Sequence, residues 1–380
     1  MKLLMISGYG ATSLDKKGAF YNTLEEFHKY WERIDIISPR AVNGERQNEV
    51  LFGNVFLHPS PWALWLQPVW IFKKGLQTFL EQKFNIIMVH EYPPFYNGIG
   101  ARLLWGKIKI PYVLETHHVP GYPKSANFKD LIYKFATRLF IRYDSSRALA
   151  VRVVNQRQTQ EFLLKSGVPL KKIVHIPSFY IDLDVFRPMA LIKEYDLIFI
   201  GRLDKNKGLD LLLDAVKNLK INIQNIKLLI VGTGPEWHNL KSKIKNLKLG
   251  DNVVLYGWAK DSLEVAEFIN KSKILVMTSY SEGGPRVVLE SMACGVPVVA
   301  TMVGIVPDVI IDGESGSIAD WDWRDLSFKI SDLLSHPDVL TKYGVEGIKI
   351  SKNFEKKSAI KKLFQELQKL IATEGGSAAS

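Results

Sequence analysis

The stretch Lys273–Met302, KILVMTSYSEGGPRVVLESMACGVPVVATM, admits few folds. Ile274–Thr278 is an apolar run of strand length, and Val296–Ala300 is the next one. Between them Ser281-Glu282-Gly283-Gly284 has turn chemistry, and Pro285 suits the first position of a helix, where its missing N–H costs nothing. The spacing predicts a helix to about Cys294, with Gly295 as the residue that ends it. Parallel α/β sheets place their ligands beyond the carboxyl ends of the strands, where a helix start offers unpaired N–H groups. Glu282 then sits in the loop above the sheet and Glu290 on the helix that follows. Two carboxylates and an anion-binding helix start at one pocket point to a phosphate-bearing ligand.

The same alternation runs through the chain. Strand patterns fall at Lys2–Ser7, Ile34–Ser38, Val55–His58, Ile86–His90, Tyr112–Thr116, Ala148–Val154 and Ile173–Ile176, and again at Tyr195–Ile200, Ile226–Val231 and Val253–Tyr256. Helical segments between them make this a doubly wound parallel α/β pattern. A chain of 380 residues exceeds one ordinary core, so two Rossmann-like domains are expected. Fifty Lys and Arg against 39 Asp and Glu give +11, which suits a polyanionic ligand, a nucleic acid or an anionic membrane surface. The single Cys294 cannot form an internal disulfide, which fits a reducing compartment. MKLLMISGYG reads as a first strand, its apolar run being too short for a signal peptide. No run reaches the roughly 18–20 apolar residues of a membrane span, so a soluble or peripheral protein is expected.

Gly8-Tyr9-Gly10 is a weak echo of a dinucleotide fingerprint, but the third glycine is missing and the nearest acid, Asp35, lies inside a strand. NAD binding is therefore disfavoured. No HExxH or Cys/His ligand spacing supports a metal site. Asp182/Asp184 and Asp320/Asp322 form D-x-D pairs better suited to turns and caps. Gly201-Arg202-Leu203-Asp204-Lys205-Asn206-Lys207-Gly208 follows a strand, and fixed Arg and Lys donors stabilise the charge that develops on a departing diphosphate. Gly232-Thr233-Gly234-Pro235-Glu236 is another backbone-exposing loop after a strand, and Gly257-Trp258 a third.

Two stretches resemble membrane-surface elements. Pro61–Lys74 carries Trp62, Trp65, Trp70 and Phe72 before Lys73-Lys74. Asn127–Arg147 is a helical pattern with Phe128, Leu131, Ile132, Phe135, Leu139 and Phe140 in a stripe. Lys129, Lys134, Arg138 and Arg142 supply its positive charge, opposed by Asp130 and Asp144. Such a helix either lies in a bilayer interface or packs its stripe on the sheet.

The segment EGGPRVVLESMACGVPVVAT resembles the E-x7-E signature of retaining glycosyltransferases of the family-4 type, which have the GT-B fold. Gly201–Gly208 matches their G-R-L-x-x-x-K-G, and Pro177–Pro188 is similar to their interdomain segment, with Phe179 near the usual glycine. Pro307-Asp308 and Asp312–Gly316 match P-E-V and D-G-x-x-G, with Asp308 for the usual Glu. The resemblance implies an acceptor domain over 1–185, a nucleotide-sugar domain over 186–352 with a cleft between them, and a helix over 353–373 crossing back. It implies that Glu282 stabilises positive charge at the anomeric carbon, Arg202 and Lys207 hold the diphosphate, and Glu290 accepts from the ribose. The resemblance also implies that His117, rather than His118, contacts the sugar, and that the loop of Gly18 with Lys16 and Lys17 closes over the donor phosphate and acceptor. Gly201, Gly234, Gly257, Gly283, Gly284, Pro285, Arg286 and Val287 complete the substrate-binding set.

The implied reaction moves a hexosyl group from a UDP- or GDP-linked donor to a hydroxyl of a glycan or lipid-linked acceptor, with no metal or other cofactor. Trp62, Trp65, Trp70, Lys129, Lys134, Arg138 and Arg142 are the expected contacts to an anionic membrane, with no nucleic acid partner. The expected location is the cytoplasm or the cytoplasmic face of the membrane. Where the family has E-G-F-G this chain has Glu282-Gly283-Gly284-Pro285, which opens the sugar subsite and leaves the donor undetermined. Two alternatives stay open: a nucleotide-sugar epimerase of the same fold, and a non-enzymatic basic membrane-binding protein.

Overall fold

A computed structural model describes residues 1–8, 19–40, 49–177 and 180–377. The chain divides into two units, one of Met1–Val119, Ile132–Ser178 and Lys357–Ser380, the other of Pro120–Leu131 and Phe179–Lys356. The division thus falls before the 185/186 boundary expected from sequence, and the first half of the chain lends residues 120–131 to the second unit.

The first unit holds β1 (Lys2–Ile6), β2 (Arg33–Ser38), β3 (Val50–Leu51), β4 (Val55–Pro59), β5 (Ile86–His90), β6 (Tyr112–Thr116), β7 (Ala150–Val153) and β8 (Ile173–His175). Their order is β3-β4-β2-β1-β5-β6-β7-β8, parallel throughout except for the antiparallel pair β3–β4. The two-residue edge strand β3 was not expected, being too short to show a period. Strands buried on both faces must be apolar at every position. Leu3, Leu4, Ile34, Ile37, Ile86 and Ile87 are accordingly fully buried, each side chain contributing roughly 1.5–3 kcal/mol. Asp35 is an exception inside β2. Burial pushes its carboxyl up, but hydrogen bonds from His58 and Arg33, at 2.8 Å and 2.8–3.0 Å, hold it below its ordinary value. It is occupied in the strand interior and presents nothing at the strand end.

Two helices, Gln67–Gln82 and Tyr96–Ile108, pack closely because Gly75 meets Leu104 and Gly100 meets Ile71. Trp62 and Trp70 turn inward: their rings lie 5.5 Å apart, and Trp70 Nε1 donates to the His58 carbonyl at 3.4 Å. Of the three tryptophans expected at a membrane, Trp65 is the one that is largely exposed, at 67%.

The helix Phe128–Ser145 buries Thr137, Ile141, Asp144 and Ser145 and points its apolar stripe outward. Phe128 is 75% exposed, and Leu131, Ile132, Phe135 and Leu139 are exposed with it. The stripe therefore does not pack on the sheet. Phe140, less exposed than the rest, stacks on Phe95 at 4.7 Å. The last helix, Lys356–Ser377, starts after a 3-10 turn at Lys352–Phe354 and buries Ile360, Leu363 and Leu367. Its Phe364 meets Tyr30 and Trp31 of the first unit, at 5.4 and 5.2 Å between rings.

The second unit holds β9 (Tyr195–Ile200), β10 (Leu228–Val231), β11 (Val253–Gly257), β12 (Ser272–Met277), β13 (Val298–Thr301) and β14 (Ser317–Ala319). All are parallel in the order β11-β10-β9-β12-β13-β14. Alternate side chains serve two cores: Leu197 and Phe199 join Leu212, Leu213 and Val216 on one face, while Ile198 joins Leu229, Leu275 and Met292 on the other. Both units are doubly wound parallel α/β layers, as expected.

Under the exposed helix lies a pair of buried acids. Glu91 and Asp144 converge on Gly98, where a side chain would meet both, and no side chain among the described residues hydrogen-bonds either carboxylate. Burial, with the charge of Asp144, pushes Glu91 well above the carboxylate range. Burial pushes Asp144 up to about 7 against the opposing pull of Arg102, and the Tyr112 hydroxyl donates to the Asp144 carbonyl rather than to its carboxylate. The folded chain thus holds protons that the unfolded chain releases above about pH 4, and this contribution to stability is lost as pH rises through the folded values. Asp144→Asn should gain stability over the wild type progressively between about pH 5 and 8. Melting temperatures across that range test this; a pH-independent difference would mean the pair is not protonated.

Candidate active site

The candidate site of the second unit is built where β9 and β12 end side by side. β9 delivers Gly201 and Arg202, and a 3-10 turn at Lys205–Lys207 then brings the chain to Gly208. Gly208 has φ +62°, and a Cβ there would strike the Thr278 carbonyl, so only glycine lets this turn close on the loop after β12. Hydrogen bonds stitch the two loops together. Thr278 Oγ1 donates to the Lys207 carbonyl at 2.8 Å, and Tyr280 N to the Asn206 carbonyl at 2.8 Å. Asn206 Oδ1 accepts from Ser281 N and Oγ, at 3.2 and 2.9 Å, while its Nδ2 donates to the Ser281 carbonyl at 2.7 Å. From below, Thr301 Oγ1 and Trp321 Nε1 both donate to the Ser279 carbonyl, at 2.6 and 2.9 Å.

On this frame Lys207 Nζ meets Glu282 Oε1 at 2.5 Å, with side chains 21% and 16% exposed. A charged pair held this close, on two side chains still reachable from solvent, presents both signs of charge at one point. Arg202 lies on the same edge and is 70% exposed, its guanidinium 3.9 Å from Asp204. The neighbouring strand ends add backbone. Gly232, at φ +142°, packs where a Cβ would strike the Gly201 carbonyl, and a Cβ on Gly234 would strike that of Leu203. Gly257, at φ +94°, leads to Trp258, 73% exposed beyond β11.

The loop Gly283-Gly284 leads into the helix Arg286–Ala293. Pro285 is the N-cap residue, at ψ 100°, not the first helical residue expected from sequence: its extended backbone turns the chain into the helix. Gly295 ends that helix at φ +70°, as expected. Its N–H bonds the Met292 carbonyl and that of Val296 bonds Ser291, the Schellman arrangement. Arg286 directs its guanidinium over Tyr180, 5.0 Å from the ring centre. Glu290 is half-buried on the helix, and burial pushes its carboxyl up to about 7 against the pull of Arg286.

His117 belongs to the first unit, just past the end of β6. Its ring lies 4.6 Å from His90, and its Nε2 is 3.8 Å from Glu115 Oε2. Gly18 falls outside the described residues. The D-x-D pairs are local: Asp184 N bonds Asp182, and Asp322 caps a helix through Arg324 N at 2.8 Å. Sequence reasoning passed over Asn206, whose amide joins the two loops; an amide in a tight turn between two lysines was its signal. It also passed over Lys124, from the lent segment 120–131, whose N–H donates to the Tyr280 carbonyl at 3.3 Å and whose ammonium lies 5.2 Å from the Trp321 ring.

Known proteins resemble this chain in sequence and in fold. The family described as "Glycosyl transferases group 1" matches residues 186–350. An uncharacterized glycosyltransferase of Methanocaldococcus jannaschii is 29% identical over 292 residues, 74% of this chain and 76% of that protein. Sucrose-phosphate synthase from Thermosynechococcus elongatus superposes with a TM-score of 0.79 at 18% identity, over 98% of this chain and all of that one. The Anabaena protein HepE, in complex with UDP and glucose, gives 0.75 at 16% identity, over 97% and 100%. The chain belongs to the group 1 glycosyl transferases, of the family-4 type, and has the GT-B fold.

Proposed function

We propose that this glycosyltransferase moves a hexosyl group, with retention, from a UDP- or GDP-linked sugar to a hydroxyl of a glycan or lipid-linked acceptor at a membrane surface. The observation that carries the reading is the contact of Lys207 with Glu282 on the stitched loops. A sugar diphosphate needs cations at its phosphates and an anion beside the ring carbon that turns positive, and these two side chains supply both within one contact. Lys207 and Arg202 hold the diphosphate, and no metal or other cofactor is called on. Glu282 orients the sugar hydroxyls and offsets charge at the anomeric carbon, with the backbone N–H groups from Gly284 to Arg286 beside it. As the bond from that carbon to the phosphate oxygen breaks, the acceptor oxygen bonds the same face. Its proton passes to the departing phosphate, so no side-chain base is required. The complex of HepE with UDP and glucose supports a nucleotide-sugar donor.

Lys207→Ala and Glu282→Ala should each lower transfer by about 100-fold or more without loss of the fold. Thermal shifts with UDP, GDP, ADP and their sugar conjugates identify the donor first, since a ligand at 100 times its Kd adds about 2.7 kcal/mol. A shift with one nucleotide, reduced in Lys207→Ala, is the expected result; near-wild-type turnover in either variant overturns the site.

Glu290 is assigned to the ribose hydroxyls, which donate to an ionised carboxylate. With that carboxyl raised to about 7, binding below neutrality must first expel a proton. Affinity for the nucleotide sugar should therefore weaken as pH falls from 8 to 6, by up to about tenfold per unit below the raised value. Calorimetry on wild type and Glu290→Gln reads this, and an identical pH dependence in both would remove Glu290 from the nucleotide.

No described helix is long and apolar enough to cross a membrane. The outward stripe of the helix Phe128–Ser145, bordered by Lys129, Lys134, Arg138 and Arg142, favours a peripheral contact with an anionic, cytoplasmic-face bilayer. Each basic residue near such a surface is worth roughly 1 kcal/mol. Replacing all four by Gln should abolish flotation with phosphatidylglycerol vesicles, and unchanged flotation would exclude this helix as the contact.

A further inference from the structure

The registers of β5, β6 and β7 align His90 with Glu115 and Glu115 with Arg152, one polar row across three adjacent strands. Glu115 is 4% exposed and Arg152 2%. Taking an ion pair of this kind out of water costs several kcal/mol per ion, and a sheet that needed only packing would hold apolar side chains here. Each guanidinium nitrogen has a partner: Nε donates to the Ile176 carbonyl at 3.0 Å, Nη2 to that of Pro177 at 3.1 Å, and Nη1 to Glu115 Oε1. That leaves Glu115 Oε2, which faces His117 Nε2 at 3.8 Å. His117 Nε2 is sealed from solvent and has no other partner among the described residues.

We infer that Glu115, clamped by Arg152, is the positioning residue of the acceptor-side histidine: it fixes His117 with its proton on Nε2 and leaves Nδ1 to accept a hydrogen bond from a sugar hydroxyl. The inference rests on the reading of His117 as a sugar contact. Its chemistry is simple. An ionised carboxylate is an acceptor only, so the nitrogen facing it must donate, and a neutral imidazole that donates from one nitrogen accepts at the other. The other groups around the ring leave this assignment undisturbed. Burial opposes the charge on Glu115, but Arg152 and then His117 hold its carboxyl well below the usual range. Burial, assisted by His117, pushes His90 down to about 3, so this neighbour is neutral and does not compete as a cation for the carboxylate.

Glu115→Gln inverts the arrangement. Arg152 retains the amide oxygen, the amide NH2 then faces His117 Nε2, and that nitrogen must accept, which moves the proton to Nδ1. Long-range 1H–15N spectra of histidine-labelled protein, assigned with His117→Ala, read the tautomer without any substrate. The expected result is Nε2–H in the wild type and Nδ1–H in Glu115→Gln. In transfer assays Glu115→Gln and His117→Ala should each lose about tenfold or more, and the double variant no more than His117→Ala alone. Nδ1–H in the wild type, an unchanged tautomer in Glu115→Gln, or additive losses would overturn the inference. If Glu115→Gln does not fold, the wild-type spectrum still decides. Full transfer by His117→Ala alongside an inactive Lys207→Ala would remove His117 from the site while leaving the donor side intact.

Discussion

The parallel pairing of β9 with β12 is the constraint on which the donor side of this protein depends. Leu197 lies beside Ile274 and Ile198 beside Leu275, so the two strands end on the same edge and their loops meet. Lys207 and Glu282 are 75 residues apart in the chain and 2.5 Å apart in space for that reason. Parallel strands alone would not bring the side chains so close. Gly208 lets the first loop press on the Thr278 carbonyl, and the Asn206 amide then bonds the backbone of the second. Without such contacts the ion pair would hold the loops only weakly, since an exposed pair on its own is worth at most about 1 kcal/mol.

Buried charge is used sparingly, and each use has a different consequence. Asp35 is satisfied by Arg33 and His58 and stays in the sheet as a structural acid. Glu115 is satisfied on one oxygen by Arg152 and turns the other toward His117. Glu91 and Asp144 face each other in a buried space where the pull of Arg102 on Asp144 does not offset burial, and their carboxyls are raised instead. The same residue type thus serves as a strut, an orienting group and a proton store, according to what faces it.

The helix Phe128–Ser145 shows the limit of amphipathic patterns. A stripe of Phe128, Leu131, Ile132, Phe135 and Leu139 reads equally as a core face or as an interfacial one. The fold decides, because Thr137, Ile141, Asp144 and Ser145 take the inward face and leave the stripe exposed. The tryptophans of Pro61–Lys74 reverse the lesson. They looked outward as a group, yet Trp62 and Trp70 pack against each other.

The sequence by itself determined the two doubly wound sheets, the family and the chemical character of the donor loops. Apolar period, turn residues and the glycine that ends a helix are local properties, so they can be read along the chain. Gly295 and the runs of β9 and β12 were legible for this reason, and so was the motif from Gly201 to Gly208. Contact partners were not legible. That Lys207 meets Glu282 and that Asn206 joins their loops follow from strand order, which no local pattern encodes, and no local pattern marks residues 120–131 as part of the second unit. Charged residues inside β6 and β7, in YVLET and AVRV, were visible anomalies, but which of them face each other depends on register. Register is set by packing the whole sheet, and only the tertiary structure placed Glu115 between an arginine and a histidine.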